Sequence, residues 1–348
     1  MSLLSPFETL SPKVFETTWR SPSNIAFVKY WGKKGHQIPA NPSLSMTLKE
    51  CFTETKVTFI PHHSLEVELY LDDNKEERFA LKIKSYLESL ESELPLLKNI
   101  RLIIKTRNTF PHGTGIASSA SGMSALALCL TDYLHTLSGE EVNDLFYKRA
   151  SHLSRLASGS ACRSIYGGFT TWGASELPES SDKYSTPFEV HSEFSHLKDS
   201  ILVVSAEEKS VSSRSGHGRM NEHPFAESRF IQAKNNFTRM ASALKSGDME
   251  VMGSILEGEA LSLHAMMMTS PEAYILMRPN TVAAIERIWA MRRETGLPLY
   301  FTLDAGPNLH LIYPEAFQHK IQTFINHELS PLCHKIIHDE VGDGAVKC

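Results

Sequence analysis

The chain has 348 residues, of which 41% are hydrophobic and 22% are charged, and its formal net charge is -5. This length exceeds what a single hydrophobic core usually organises, so we expect two domains. The acidic balance argues against binding nucleic acid through a broad basic surface, and no apolar run approaches the roughly 18 residues of a membrane span. Five cysteines without a CxxC spacing suit a reducing compartment, so we expect a cytoplasmic protein with neither a nucleic-acid nor a membrane partner.

The first half of the chain alternates strand and helix patterns. Residues 1–20 are interpreted as a polar lead-in. Three strands are predicted, at 56–60, 65–71 and 100–106. Ser138 and Glu141 have the spacing of a capping box, which predicts a helix that begins there. The core side of this helix is predicted to hold Val142, Leu145, Phe146, Leu153 and Leu156.

The second half has the pattern of a strand, three long helices and a pair of strands. Ser, Pro and Asp are frequent at 175–187, which predicts a surface loop near a domain junction. The strand is predicted at 201–205, the helices at 224–245, 248–266 and 281–294, and the paired strands at 299–303 and 309–313. Gly247 and Gly296 stand where helix C-caps belong. This order of elements predicts an α+β protein of two domains.

The segment from Phe110 to Gly122 combines glycines and hydroxyls with the start of a helical pattern. Apolar residues follow at three- and four-residue spacing through Leu137, so we expect a helix that begins at the end of the glycine–serine loop. Unpaired backbone N–H groups at such a helix start attract an anion. The loop matches neither the Walker motif nor the dinucleotide motif. It predicts a nucleotide phosphate site, with a plain surface turn as the alternative.

Three further positions place a charged side chain where an ordinary core would not. Lys29 interrupts a strand-like apolar run, Arg163 lies among small and hydroxyl residues, and Asp304 lies between two predicted strands. Each has an ordinary alternative: a lysine that extends from a strand edge to solvent, a solvated arginine in a turn, and a turn-forming aspartate. Together with the phosphate loop, these side chains are the components of a small-molecule phosphotransferase.

Four strings carry a family resemblance: NIAFVKYWGK at 24–33, FPHGTGIASSASG at 110–122, SGSACRSIYGGF at 158–169 and LDAGPN at 303–308. They closely resemble the diphosphomevalonate decarboxylase family of the GHMP kinase superfamily. The resemblance implies an α+β, two-domain GHMP kinase fold. Its N-terminal domain would be similar to ribosomal protein S5 domain 2 and its C-terminal domain would be ferredoxin-like. We expect residues 1–195 to form the ATP-binding domain and residues 196–348 to form the decarboxylase domain.

The resemblance also implies a reaction, the ATP-dependent decarboxylation of mevalonate 5-diphosphate to isopentenyl diphosphate in the mevalonate pathway. The cofactors it implies are ATP and Mg²⁺, and the assembly it implies is a homodimer. The implied catalytic residues are Asp304, Lys29, Arg163 and Asn24. Those implied for substrate binding are Tyr30, Lys33, Ser158, Ser160, Arg163, Ser213 and Arg214. Those implied for the nucleotide are Pro111, Gly113, Thr114, Gly115, Ala117, Ser118 and Ser119, with Ser118 or Ser119 reaching Mg²⁺ through ATP.

Two departures from the family pattern stand out: the one in the phosphate loop bears on nucleotide affinity and not on the chemistry, and the one after Arg214 leaves the substrate tail open. His112 lies in the phosphate loop, and the segment 215–220, which contains His217, follows Ser213 and Arg214 where the family continues quickly to Gly-Met. Relatives with similar frameworks act on mevalonate 5-phosphate, or phosphorylate mevalonate at C3 without decarboxylating it. A member that has lost catalysis and only binds a small molecule is a third alternative, against which the joint presence of the lysine, arginine and aspartate argues.

Overall fold

The structure is a computed structural model that describes residues 3–111, 116, 118–207 and 211–348, and at positions 213 and 214 it describes the backbone alone. The strands of this part are β1 (Phe15–Val28), β2 (Ser43–Pro61), β3 (Glu66–Leu71), β4 (Asn74–Lys75), β5 (Ile100–Asn108), β6 (Phe169–Trp172), β7 (Thr186–Phe188), β8 (Leu197–Val203), β9 (Tyr300–Thr302), β10 (Leu309–Pro314), β11 (Lys335–Glu340) and β12 (Val346–Lys347). The α-helices are α1 (Glu77–Ser89), α2 (Ser118–Ser138), α3 (Asp144–Ala157), α4 (Ser213–Gly218), α5 (Ala226–Ser246), α6 (Met249–Met268), α7 (Pro279–Thr295) and α8 (Gln318–Phe324). None of these helices has the combination of length and apolar character that crossing a bilayer requires.

One long hairpin organises the first sheet, which has eight strands. β1 and β2 contain 14 and 19 residues and pair antiparallel along most of their length. The strand order is β12-β1-β2-β5-β3-β4, with β6 paired to β2 and β7 paired to β6. The strands predicted at 56–60, 65–71 and 100–106 are confirmed, although the first is only the end of β2.

The prediction of a polar lead-in was wrong, because Leu4 and Phe7 are buried in the core and β1 begins at residue 15. Thr17 and Trp19 are buried, whereas Glu16 is exposed and Thr18 and Arg20 are half-buried. Polar residues at every second position give this stretch a hydrophilic average, which conceals the two-residue period of a strand.

Helices α2 and α3 pack on the first sheet. α2 begins at Ser118, as predicted, and its residues Leu126, Leu130 and Leu134 join the core formed with the sheet. The helix continues to Ser138, so the glycine–serine segment leads directly into 21 residues of helix.

The predicted capping box was wrong. Ser138 ends α2, and α3 begins after Asn143, whose side chain accepts a hydrogen bond from the Phe146 N–H. Because the helix begins later than predicted, Val142 and Leu145 are largely exposed, at 51% and 39%. The rest of the predicted core side is correct, since Phe146 and Leu153 are buried and Leu156 is partly buried.

The second sheet is antiparallel, with the order β11-β8-β10-β9. Neighbouring residues of β8 face different cores. Ile201 contacts a cluster that includes α5, α6 and residues of β1 and β2, whereas Leu202 belongs to a cluster with α7 and α8. The long helices and the paired strands predicted for this half are confirmed, whereas the strand predicted at 201–205 begins earlier, at Leu197, and ends at Val203. The C-caps Gly247 and Gly296 are also confirmed, with φ angles of +81° and +69°.

Asp339 of β11 ties the second sheet to the first. Its carboxylate accepts hydrogen bonds from the backbone N–H groups of Lys49, Glu50 and Cys51 in β2, at 2.8, 2.9 and 2.8 Å. These bonds satisfy donors that no neighbouring strand pairs at this point of β2. The result is a mixed α+β fold in which the end of β1 lies beside the β9–β10 turn.

Candidate active site

An ion pair with a buried lysine joins the end of β1 to the turn between β9 and β10. Lys29 follows the last residue of β1, and its Nζ lies 2.9 Å from Oδ1 of Asp304 in the turn between β9 and β10. The two residues are 275 positions apart in the chain. The lysine side chain is 2% exposed and the aspartate side chain is 29% exposed. Lys29 is therefore not a lysine that reaches solvent from a strand edge, and the carboxylate of Asp304 keeps part of its surface exposed.

Each member of this pair affects the ionisation of the other. Burial lowers the pKa of Lys29 below its ordinary value, although the charge and hydrogen bond of Asp304 oppose this effect. Burial also disfavours the charged form of Asp304, but the charge of Lys29 and its hydrogen bond outweigh burial and hold the carboxyl pKa below its usual value. The aspartate therefore stays a carboxylate, which can accept a hydrogen bond or a proton from a bound hydroxyl.

Arg163 adds a second buried cation. It lies in a short 3-10 helix, Gly159–Ser164, between α3 and β6, and is 3% exposed. Its Nη1 donates to Ser43 Oγ at 2.6 Å, while its Nε has no hydrogen-bond partner among the described residues. Among the residues that the structure describes, no carboxylate forms an ion pair with Arg163. A buried guanidinium with an unused donor has the charge and the free N–H group that binding an anion requires.

Asn24 holds the 3-10 helix that carries Arg163. The amide nitrogen of Asn24 donates to Ser164 Oγ at 2.8 Å and to the Ser160 carbonyl at 3.3 Å. The sequence prediction assigns it a role near the substrate carboxylate. Its observed hydrogen bonds fix the position of the arginine segment.

Tyr30 lies beside the same helix. Its ring packs against Trp172 at a centroid distance of 4.7 Å, and its buried hydroxyl has no hydrogen-bond partner among the described residues. A Cβ at Gly159 would lie 2.7 Å from that hydroxyl, so this position requires glycine. Ser158 and Ser160, which flank Gly159, are half-buried. The predicted substrate residues of this segment are thus brought together, and Lys33 follows three residues after Tyr30.

The predicted nucleotide residues are described only in part. Ser118 and Ser119 form the start of α2, and Pro111 is half-buried. Gly113, Thr114, Gly115 and Ala117 lie outside the described residues, as does His112. The side chains of Ser213 and Arg214 also lie outside them, although the backbone of both belongs to α4.

Sequence reasoning assigned no role to His217, which connects α4 to the segment after β1. The Gly32 N–H donates to His217 Nδ1 at 3.0 Å, and the imidazole packs on the rings of Tyr30 and Trp31 at 4.3 and 4.5 Å. Burial, with the charges of Lys33 and Arg163, lowers its pKa to about 3. The ring is therefore neutral at pH 7, and because Nδ1 accepts, its proton is on Nε2.

Three more polar residues lie beside Lys29 or Asp304; sequence reasoning assigned no role to His264, which resembles a family position, and did not single out the other two. Glu259 and Arg229 form a buried ion pair that contacts the backbone of Lys29, and His264 Nε2 lies 3.1 Å from the carbonyl oxygen of Asp304. A signal for Glu259 was available, because it stands on a predicted helix among Leu256, Ala260 and Leu263. A carboxylate on an apolar helix face requires a partner.

The two-domain α+β fold, together with the Lys29–Asp304 pair beside Arg163, defines an enzyme of the GHMP kinase type. Two family models match the chain, the diphosphomevalonate decarboxylase-like N-terminal domain at residues 21–185 and the mevalonate 5-diphosphate decarboxylase C-terminal domain at residues 200–344. A diphosphomevalonate decarboxylase of Ganoderma lucidum is 31% identical over 87% of this chain and 79% of its own length. The chain belongs to the diphosphomevalonate decarboxylase family.

Other relatives and solved structures agree with this assignment. The diphosphomevalonate decarboxylase of Gibberella zeae is 31% identical over 87% of this chain and 82% of its own length. The structure of MDDEF in complex with MVAPP, AMPPCP and magnesium has a TM-score of 0.84 and 28% identity, and the match covers 97% of this chain and 99% of that one. The structure of the mevalonate diphosphate decarboxylase of Staphylococcus aureus has a TM-score of 0.83 and 27% identity, and the match covers 97% of this chain and 98% of that one.

Proposed function

We propose that this chain catalyses the ATP-dependent decarboxylation of mevalonate 5-diphosphate to isopentenyl diphosphate, with ADP, phosphate and CO2 as the other products, in the mevalonate pathway. The observation that carries this proposal is the contact of Lys29 with Asp304, close to the buried charge of Arg163. Membership of the family supplies the substrate.

The proposed chemistry assigns one task to each of these side chains. Asp304 holds the C3 hydroxyl of the substrate and accepts its proton. Lys29 keeps that carboxylate ionised and offsets negative charge that develops beside it. Arg163 binds the substrate carboxylate next to C3 and keeps it in place until the C3–O bond breaks, so that CO2 leaves as the alkene forms.

We propose that ATP with Mg²⁺ binds at the start of α2. The hydroxyls of Ser118 and Ser119 stand at the N-terminus of 21 residues of helix, where backbone N–H groups and the helix dipole favour a phosphate. The complex of MDDEF with AMPPCP and magnesium supports this part of the proposal. Bound ATP supplies the phosphoryl group that converts the C3 hydroxyl into a leaving group.

For the substrate tail, we propose the segment that includes Tyr30, Lys33, Ser158 and Ser160. The buried Tyr30 hydroxyl, unpaired among the described residues, and the two half-buried serines offer neutral donors to a diphosphate. We also propose domains at 1–195 and 196–348, a homodimeric assembly and a cytoplasmic location. Analytical ultracentrifugation of the purified protein tests the assembly.

One experiment tests the function. The protein is incubated with ATP and Mg²⁺ and, in parallel, with mevalonate, its 5-phosphate or its 5-diphosphate, while ADP and CO2 are both measured. The proposal expects equal amounts of ADP and CO2 with the 5-diphosphate. ADP without CO2 identifies a 3-kinase, CO2 only from the 5-phosphate changes the substrate, and neither product with any of them indicates a binding protein.

A further inference from the structure

The backbone of Lys29 is held from two sides. Its N–H donates to Oε2 of Glu259 at 2.8 Å, and its carbonyl accepts a hydrogen bond from Asn41 Nδ2 at 3.0 Å. Lys29 follows directly after β1, whose pairing with β2 has a bulge between Ala26 and Val28. The pairing of the two strands ends at Val28, so it does not determine where Lys29 points. Glu259, on α6, instead holds the backbone of Lys29 in place.

Glu259 is itself fixed by an ion pair. Arg229 of α5 donates from both terminal nitrogens, at 3.0 and 2.6 Å, and Asn236 of the same helix donates at 2.7 Å. The side chains of Glu259 and Arg229 are 0% and 2% exposed. A buried ion pair contributes little net stability compared with apolar residues of the same volume, because removing two charges from water is costly. Stability alone does not explain a carboxylate at this position.

We propose that Glu259, held by Arg229, is a positioning residue for Lys29: it fixes the lysine backbone so that Nζ reaches Asp304. This inference rests on the proposed function, in which the lysine–aspartate pair performs the chemistry. It assigns α5 and α6 a defined part in catalysis, through the backbone of Lys29.

Glu259 also acts on Lys29 through its charge. The charged groups that face Lys29 are Asp304 from the β9–β10 turn, Glu259 from α6 and Arg163 from the 3-10 helix. Burial lowers the lysine pKa, and the two carboxylates raise it. Removal of the Glu259 charge therefore lowers the pKa of Lys29 further, which a pH profile can detect.

Helix α6 provides a matched control, Glu257. This residue is also buried, and its carboxylate accepts from Arg292 at 2.7 Å and from Trp289 at 2.8 Å, both on α7. Glu257→Gln thus weakens a comparable buried carboxylate site, two positions away, that faces α7 instead of Lys29. Each variant is purified as the full chain, and its kcat, its KM for ATP and its thermal midpoint are measured, together with the pH dependence of kcat.

The expected result is a split between the two variants. Glu259→Gln should lower kcat about 10- to 100-fold with little change in KM, because a small displacement of a catalytic group is costly. The alkaline limb of the kcat–pH profile of Glu259→Gln should move to lower pH. Glu257→Gln should keep the wild-type profile. Equal kcat values and equal alkaline limbs in the two variants would overturn the proposal and leave Glu259 a residue of the fold alone.

Two further measurements keep the test decisive. If Glu259→Gln does not fold, Asn236→Ala replaces it, since this variant removes one hydrogen bond from Glu259 at a half-buried site. It should lower kcat several-fold with KM for ATP retained, and an unchanged kcat contradicts the proposal. CO2 release by the wild-type protein is measured first, so that failure of the proposed function is seen separately from failure of this inference.

Discussion

One site contains two positive charges, on Lys29 and Arg163, and one negative charge, on Asp304. The carboxylate of Glu259 is paired with Arg229, so an excess of positive charge remains beside Asp304. A buried cation without a partner costs free energy, and protein sites accept that cost where a ligand supplies the missing charge. The carboxylate of the proposed substrate has the required sign.

Arg163→Met tests this interpretation. The variant keeps an apolar side chain of similar length and removes the buried charge, so we expect kcat to fall about 100-fold or more while the thermal midpoint stays or rises. Steady-state kinetics and thermal unfolding measure the two effects. Arg278→Met, at an arginine that is 55% exposed, serves as the control. A variant that loses only ATP affinity contradicts the placement of Arg163 beside the substrate.

The lowered pKa of Lys29 predicts the alkaline side of the pH profile. The ammonium is lost as the pH rises through a pKa below 10.5, so kcat at saturating substrate should begin to fall below that pH. Lys29→Arg should lower kcat but remove this limb, because a guanidinium stays charged to above about pH 12. If the limb persists unchanged in Lys29→Arg, another group is responsible for it.

The ends of the helices were predicted with unequal success. Both glycine C-caps are correct because a left-handed backbone strongly favours glycine, and this requirement is visible in a single residue. The start of α3 was predicted wrongly because Ser138 and Asn143 both have side chains suited to capping. Only Asn143 accepts the backbone hydrogen bond, while Ser138 Oγ donates to the His135 carbonyl.

A pair of alanine variants distinguishes the two positions. Asn143→Ala should lower the free energy of unfolding by about 1 kcal/mol, since it leaves the Phe146 N–H without its cap. Ser138→Ala should change the free energy of unfolding by less than about 0.5 kcal/mol. The Ser138 hydroxyl only donates to the His135 carbonyl at the end of α2. Urea denaturation followed by circular dichroism measures both. A larger loss at Ser138 would restore the original prediction.

After the strands of the second sheet, the chain continues back to the first sheet. β12 pairs with β1 through Trp19 and Arg20, so the last strand belongs to the first sheet. Lys347 Nζ lies 2.8 Å from a carboxylate oxygen of Asp132, which is 4% exposed in its side chain. Asp132 also accepts hydrogen bonds from the side chains of Thr17 and Trp19. The chain thus returns to its own first strand after it has completed the second sheet.

Deletion of residues 345–348 tests the contribution of this return. It removes the β12 pairing and the cation from a buried carboxylate, so we expect the free energy of unfolding to fall by about 1–3 kcal/mol. Differential scanning calorimetry and urea denaturation provide the measurement. Lys335→Met, at an exposed lysine of β11, should have almost no effect. An unchanged stability after the deletion would show that β12 contributes nothing to the first sheet.

The sequence by itself determined the fold class, the family resemblance and the positions of most elements of the second half. It did so because helix periodicity, glycine C-caps and short motifs are local properties of the chain. The choice of Lys29, Arg163 and Asp304 as site residues also came from local pattern, since each is a charge at a position where the neighbours are apolar or small.

Only the tertiary structure decided which groups meet. The contact of Lys29 with Asp304 joins residues 275 positions apart, and the hydrogen bonds of Glu259, Asp339 and His217 cross between segments that no local pattern relates. The early start of β1 and the late start of α3 were decided in the same way, by burial of alternate residues and by one of two competing caps. Sequence spacing contains no distance between remote segments, because the packing of sheets and helices sets those distances.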